Sequence, residues 1–253
     1  MIPARKTPRF SAWFTGQAVK RLQRTFAAVR VRGVESLAAA LGPGPVILVS
    51  NHTSWWDPLV CLLVANRLVQ SDAYAMMDAA NLRRLPFFAR VGAFGVDRSE
   101  AGLAGESLDY AAALLDRPGR LLWIFAQGDE RPINQRPLGF RRGAAVVWER
   151  VPEARVVPLA IRYVFAEREQ PYLYLAFGPA LPSGEGIEAR RVAMERAVEA
   201  QLDTIERALA APDASFVERL RARPRRLERL AERALAWLNR RRRREIPHAR
   251  PPD

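Results

Sequence analysis

Cysteine is almost missing from this chain. Cys61 is the only one in 253 residues, so neither an intrachain disulfide nor a cysteine-based metal cluster can form, a pattern that suits a reducing compartment. Histidine is nearly as scarce: of two, His248 lies in a tail rich in proline and arginine, which leaves His52 alone in the folded part. A multi-histidine metal site is therefore not expected, nor is a resident cofactor. Lysine is limited to Lys6 and Lys20, so arginine carries almost all the positive charge. No stretch reaches the roughly 18 to 20 uncharged apolar residues needed to span a bilayer, and the N-terminus lacks the apolar segment of a signal peptide. Any membrane contact is expected to be peripheral.

What is present begins with size and charge. At 49% hydrophobic and 26% charged, the chain can bury a sizeable core and reads as one domain with appendages. The net charge of +13 is unevenly spread. Residues 1–32 hold eight Lys or Arg and no acid, and residues 215–253 hold thirteen Arg against five acids, so each end is +8 while the middle is −3. Basic ends on a slightly acidic body suit an anionic surface, either phospholipid or nucleic acid.

Residues 10–29 place Phe10, Trp13, Phe14, Val19, Leu22 and Phe26 near helical spacing among Lys20, Arg21 and Arg24. This predicts an amphipathic, cationic, aromatic-rich helix that packs on the core, offers a flank to lipid, or does both. From Gly42 short apolar runs alternate with helical patterns. Strands are predicted at 45–50, 73–77, 93–96, 121–125, 155–163 and 172–177, and helices at 58–69, 81–91, 106–116, 144–150 and 187–209. The alternation predicts an α/β fold, a mixed sheet flanked by helices, with the N-terminal amphipathic helix before it. A C-terminal helical appendage is expected over 216–244, divided by Pro224. The expected organisation is a basic membrane-associating segment (1–32), an α/β domain (33–212) and a basic helical tail (213–253).

Chemistry gathers where the first predicted strand stops. The segment Asn51-His-Thr-Ser-Trp-Trp-Asp57 follows the strand directly, and carboxyl ends of strands are where α/β sheets bind ligands. Asp57 before Pro58 also has the form of a helix N-cap followed by proline. A neutral imidazole is a proton acceptor near pH 7, and a carboxylate one turn away fixes its tautomer and stabilises the imidazolium. Ser54 lacks the glycine-flanked elbow of an activated nucleophile. The residues therefore favour a base that deprotonates a hydroxyl for direct attack on an acyl thioester.

The segment resembles the hallmark of the lysophosphatidate acyltransferase-like glycerolipid acyltransferases, Asn-His-x-Ser-x-x-Asp, matched here by Asn51, His52, Ser54 and Asp57. Four further blocks follow in order: Gly92–Arg98, Phe125–Asp129, Phe140–Ala144 and Val156–Leu159. The resemblance implies His52 as the base and Asp57 as its orienting partner. It also implies Asn51, Ser54, Arg98, Gln127, Gly128, Arg131 and Arg141 as substrate-binding residues, Arg98 and Arg141 being the acceptor-binding cations. An acyl-CoA or acyl carrier protein is the implied donor, and the cytoplasmic face of a membrane with anionic lipid the implied location.

The third block departs from the family. Where the family has Phe-Pro-Glu-Gly-Thr, the chain has Phe125-Ala-Gln-Gly-Asp129, with Glu130 at the usual arginine position and Arg131 one position late. Gln127 keeps donors and an acceptor for a glycerol or sugar hydroxyl but has lost the carboxylate, and Glu130 would repel a phosphate. A glycolipid or carotenoid-glycoside acceptor thus stands beside a lysophospholipid. A non-catalytic basic protein binding lipid or nucleic acid is the alternative of another class; aromatic residues on the first helix favour lipid, and no nucleic-acid partner is expected.

Overall fold

Strands apolar on both faces demand cover on both sides. The computed structural model of the chain describes residues 1–97, 101–211 and 213–222, with backbone alone for 101–104. The helices are α1 (Pro8–Thr25), α2 (Val34–Leu41), α3 (Asp57–Leu63), α4 (Ala79–Arg84), α5 (Ala101–Ala113), α6 (Gly143–Arg150) and α7 (Ile187–Ala210). The strands are β1 (Ala28–Arg32), β2 (Val46–Ser50), β3 (Asp72–Asp78), β4 (Ala93–Val96), β5 (Arg120–Phe125), β6 (Arg155–Val164), β7 (Tyr172–Phe177) and β8 (Val217–Arg221).

These strands form one sheet in the order β4-β3-β5-β2-β6-β7-β1-β8. Pairing is parallel from β4 through β6 and between β7 and β1, and antiparallel for β6–β7 and β1–β8. The fold is thus α/β with a mixed sheet flanked by helices. Alternation along β2 divides the core: Ile47 and Val49 join the side covered by α6 and α7, Val46 and Leu48 the side covered by α1, α2 and α3. All four are fully buried, and each such side chain stabilises the fold by roughly 1.5–3 kcal/mol relative to exposure.

Several elements differ from expectation. Helix α1 stops at Thr25, because Phe26 turns extended and β1 begins. The helix predicted over 58–69 passes into a wider π-helical turn at Val64–Leu68. Pro86 divides the one predicted over 81–91 into α4 and a 3-10 turn at Pro86–Val91. Residues 28–32 and 217–221, assigned by sequence to the terminal segments, are strands paired to each other, so the sheet draws on both ends of one compact unit, Met1–Arg221. The expected helical tail beyond Ala222 and the predicted site residue Arg98 lie outside the described residues.

Helix α1 also turns differently from its predicted apolar face. Its buried stripe is Ser11, Thr15, Ala18 and Leu22, at i, i+4, i+7 and i+11, and the small side chains of the first three let it lie close to α3. Phe10 and Phe14 are half-buried, Phe14 meeting Phe87 and Phe88, while Trp13 is 57% exposed.

Candidate active site

Strand β2 is flanked by β5 and β6, and its last residue, Ser50, lies beside Phe125 and Leu159. Asn51 then acts as an extra rung of the ladder. Its Nδ2 donates to the Ile161 carbonyl (2.9 Å) and its Oδ1 accepts from the Ile161 N–H (2.8 Å), in a site that leaves it 1% exposed. His52 is fixed by backbone contacts on both sides. Its N–H donates to Gln127 Oε1 (2.7 Å), and its carbonyl accepts from the Arg131 N–H (2.9 Å). The imidazole stacks on Phe125, with ring centres 4.3 Å apart.

The His52 Nδ1 lies 2.6 Å from Asp57 Oδ2. That carboxylate has no exposed surface and is saturated with donors. Oδ2 also accepts from the Thr53 N–H (2.8 Å) and the Ser54 N–H (3.0 Å), and Oδ1 accepts from the Tyr163 hydroxyl (2.5 Å). All four groups that meet the carboxylate can act as donors to it; with the imidazole donating through Nδ1, its Nε2 presents a lone pair. The N-cap form of Asp57 is not what the chain adopts: α3 begins at Asp57 itself, its N-cap position is Trp56, and the carboxylate turns back onto the 53–54 turn.

His52 lines a cavity of about 810 Å³, within the range of small-molecule pockets. Its origin is a parting of strands. Strand β3 pairs with β5 over Asp72–Ala75 but continues beside β4 to Asp78, and the cavity is lined by both parted ends, from Met76 to Asp78 and from Ile124 to Ala126. Leu59, Leu62, Ala65 and Phe88 make its wall apolar, and Trp55, 63% exposed, is among its lining residues. Cys61 belongs to the same wall; burial, then the Asp57 charge, pushes its thiol well above the ordinary range, so it serves as a small inert surface.

The other expected substrate contacts divide. Gly128 and Arg141 line the cavity, Arg141 donating to Asp129 Oδ2 (2.6 Å) and to the Gln127 carbonyl (3.1 Å). Gly128, at φ +79°, has no Cβ where the Arg141 side chain crosses it. Arg131 pairs loosely with Asp129 (3.8 Å) and braces His52 through its backbone. Gln127, expected to meet an acceptor hydroxyl, is 1% exposed with both amide ends engaged, His52 N–H on one side and the Leu138 carbonyl (3.0 Å) on the other. Ser54 is likewise turned to local structure, its Oγ accepting from the Trp56 N–H (3.3 Å). Glu130 lines the cavity. Among the described residues, no three His, Cys, Asp or Glu side chains converge to hold a metal ion.

Sequence reasoning missed Tyr163. It lies two residues beyond Ile161 on β6, so the strand that anchors Asn51 also delivers the phenol to Asp57. The signal is a tyrosine in phase with the Ile161 anchor, and it becomes visible only once β6 is known to adjoin β2.

An anchored His–Asp pair at the carboxyl end of a central parallel strand, opening on an apolar cavity, defines an α/β protein with a candidate site for acid–base chemistry. The Acyltransferase family profile matches residues 28–162, more than half of the chain, and the chain belongs to that family. The protein is an acyltransferase. Among solved structures, the chain is similar to the 1-acyl-sn-glycerophosphate acyltransferase PlsC from Thermotoga maritima, with a TM-score of 0.56 at 17% identity, covering 78% of this chain and 79% of that one. No curated protein matches the sequence.

Proposed function

We propose that the protein transfers a fatty acyl group from a thioester carrier, acyl-CoA or acyl carrier protein, to the hydroxyl of a lysophospholipid or related glycerolipid at a membrane surface, with His52 as general base. The observation that carries this reading is the orientation of one imidazole: Nδ1 is locked on buried Asp57, and the ring lines a largely apolar cavity of about 810 Å³. In the proposed step, His52 Nε2 takes the acceptor's hydroxyl proton as its oxygen attacks the thioester carbonyl carbon. The tetrahedral intermediate then expels the thiolate, which takes the proton back from Nε2 and leaves as the thiol. Asp57 remains ionised throughout and stabilises the imidazolium. The fold likeness to PlsC, whose name records a lysophosphatidate substrate, supports a glycerolipid acceptor.

The membrane part of the reading is supported by α1, which exposes Arg9, Trp13, Lys20, Arg21 and Arg24 and packs beside α3 and the 86–91 turn that help wall the cavity. No helix among the described residues is long and apolar enough to cross a membrane. A neutral, glycosylated acceptor is the second reading. Its support is Asp129 held at 2.6 Å from Arg141, with Glu130 on the cavity wall, since both carboxylates offset a phosphate-attracting charge.

His52→Ala should lower kcat for transfer from an acyl thioester by roughly 10²- to 10⁴-fold, the usual contribution of a positioned base. The assay uses lysophosphatidate, other lysophospholipids and a monoglycosyl lipid as acceptors. Undiminished transfer by the variant would sink the mechanism, and strict preference for one acceptor decides between the two readings.

A further inference from the structure

The Asp57 carboxylate is held unevenly. Its Oδ2 meets three N–H donors, from His52, Thr53 and Ser54, whereas its Oδ1 meets a single hydroxyl, that of Tyr163 at 2.5 Å. Tyr163 comes from β6, the strand beside β2, and not from the turn that carries the other partners. Its ring is packed against Phe26, with centres 5.6 Å apart, and Phe26 in turn meets Trp56 edge-on. Burial, then the charge and hydrogen bond of Asp57, pushes the phenol well above its ordinary range. It therefore remains a donor across the pH range in which an imidazole works.

We infer that Tyr163 is a positioning residue of the His52–Asp57 pair, whose hydroxyl pins Oδ1 so that Oδ2 faces the imidazole and draws off part of the carboxylate's charge. The inference rests on the catalytic reading of that pair and goes beyond it in assigning a third member. The physical consequence has a definite sign. Without the hydroxyl, more negative charge remains on Asp57 beside His52, the imidazolium is favoured, and the free base appears only at higher pH. The other ionisable groups near the pair are Cys61 on α3 and, around the cavity shared with His52, Asp129, Glu130 and Arg141 after β5, Asp78 and Arg84 on β3 and α4, and Lys6. Of these, Cys61 also feels the Tyr163 phenol, and the Ser54 hydroxyl shares a hydrogen bond with it.

The test compares wild type with Tyr163→Phe, which keeps the ring, and with Phe26→Leu, which loosens the ring packing and keeps the hydroxyl. In Tyr163→Phe the acid limb of the kcat profile should move up by roughly half a unit to one unit, as expected for loss of one hydrogen bond to a charged partner, with KM for donor and acceptor within about twofold of wild type. In Phe26→Leu the limb should stay in place. A second measurement is independent of turnover. The chain has two histidines, so [15N]histidine labelling gives two imidazoles, and the Nδ1–H resonance of the one lost in His52→Ala should shift in Tyr163→Phe. An unmoved resonance, or a pH limb that moves equally in Phe26→Leu, would overturn the inference. If instead His52→Ala retained full activity, the catalytic reading would fall while the resonance test of the Tyr163–Asp57–His52 contact stood on its own.

Discussion

At the scale of single residues, position in a motif and direction of a side chain are separate matters. The ordered blocks made His52 and Asp57 legible because the spacing itself places a carboxylate within reach of the ring. Asn51, Ser54 and Gln127 were equally visible as motif positions, yet their side chains brace the backbone around His52. Spacing along a strand end does not say which way a side chain leaves it. Gln127 sharpens the point, because an amide is the right group for its site: it accepts from the His52 N–H and donates to the Leu138 carbonyl. A carboxylate satisfies only the first and faces the carbonyl oxygen with another oxygen. Gln127→Glu should therefore destabilise the protein by about 1–3 kcal/mol, the range for a buried polar group left without its partner, measured by urea unfolding. A gain in lysophosphatidate transfer by this variant, with unchanged stability, would return Gln127 to the acceptor site.

At the scale of elements, the strands from β2 to β7 were readable because they are short apolar runs bounded by turn residues. What escaped were β1, α2 and β8. Ala28-Val-Arg-Val-Arg32 has the period-2 alternation of a strand, but Phe26 falls four residues after Leu22 and extends the helical pattern of α1 across the boundary. Val217-Glu-Arg-Leu-Arg221 is mostly exposed and polar, so its pairing with β1 is tertiary information. The face of α1 was hidden for a different reason: apart from Leu22 its buried stripe is made of the small residues Ser11, Thr15 and Ala18, whereas hydrophobic patterning favours large ones. One of these, Thr15, is 1% exposed and its hydroxyl has no hydrogen-bond partner. Thr15→Val removes that unpaired group at nearly constant volume and should stabilise the fold by about 1 kcal/mol, which calorimetry would register as a rise in Tm of roughly 2–4 °C for a chain of this size. A fall in Tm would mean that the hydroxyl has a partner in solution.

At the scale of the whole molecule, the uneven charge visible in the sequence acquires a place on the surface at the N-terminal end. The basic residues of α1 accompany exposed Trp13 and the half-buried Phe10 and Phe14, while Phe88, which Phe14 meets edge-on, also lines the cavity. The helix that carries the charge therefore packs against residues that line the cavity. Sequence alone gave the helix its charge and aromatic content but not this neighbour, because the link runs through Phe14 and Phe88, which are far apart in the chain. If α1 seats the enzyme on lipid, charge and aromatic contact should separate experimentally. Replacing Lys20, Arg21 and Arg24 by Gln should weaken binding to vesicles of anionic phospholipid by roughly 10²-fold, at about 1 kcal/mol for each cation near the surface, and should leave the weak binding to zwitterionic vesicles unchanged. Trp13→Ala should weaken both, because an interfacial indole acts on either surface. All four side chains are exposed, so unfolding temperatures should stay within a degree or two of wild type, and vesicle co-sedimentation reads the lipid contact directly. Equal binding of the triple variant and wild type to anionic vesicles at low salt would remove α1 as the docking element and leave the basic charge of 1–32 without a membrane role.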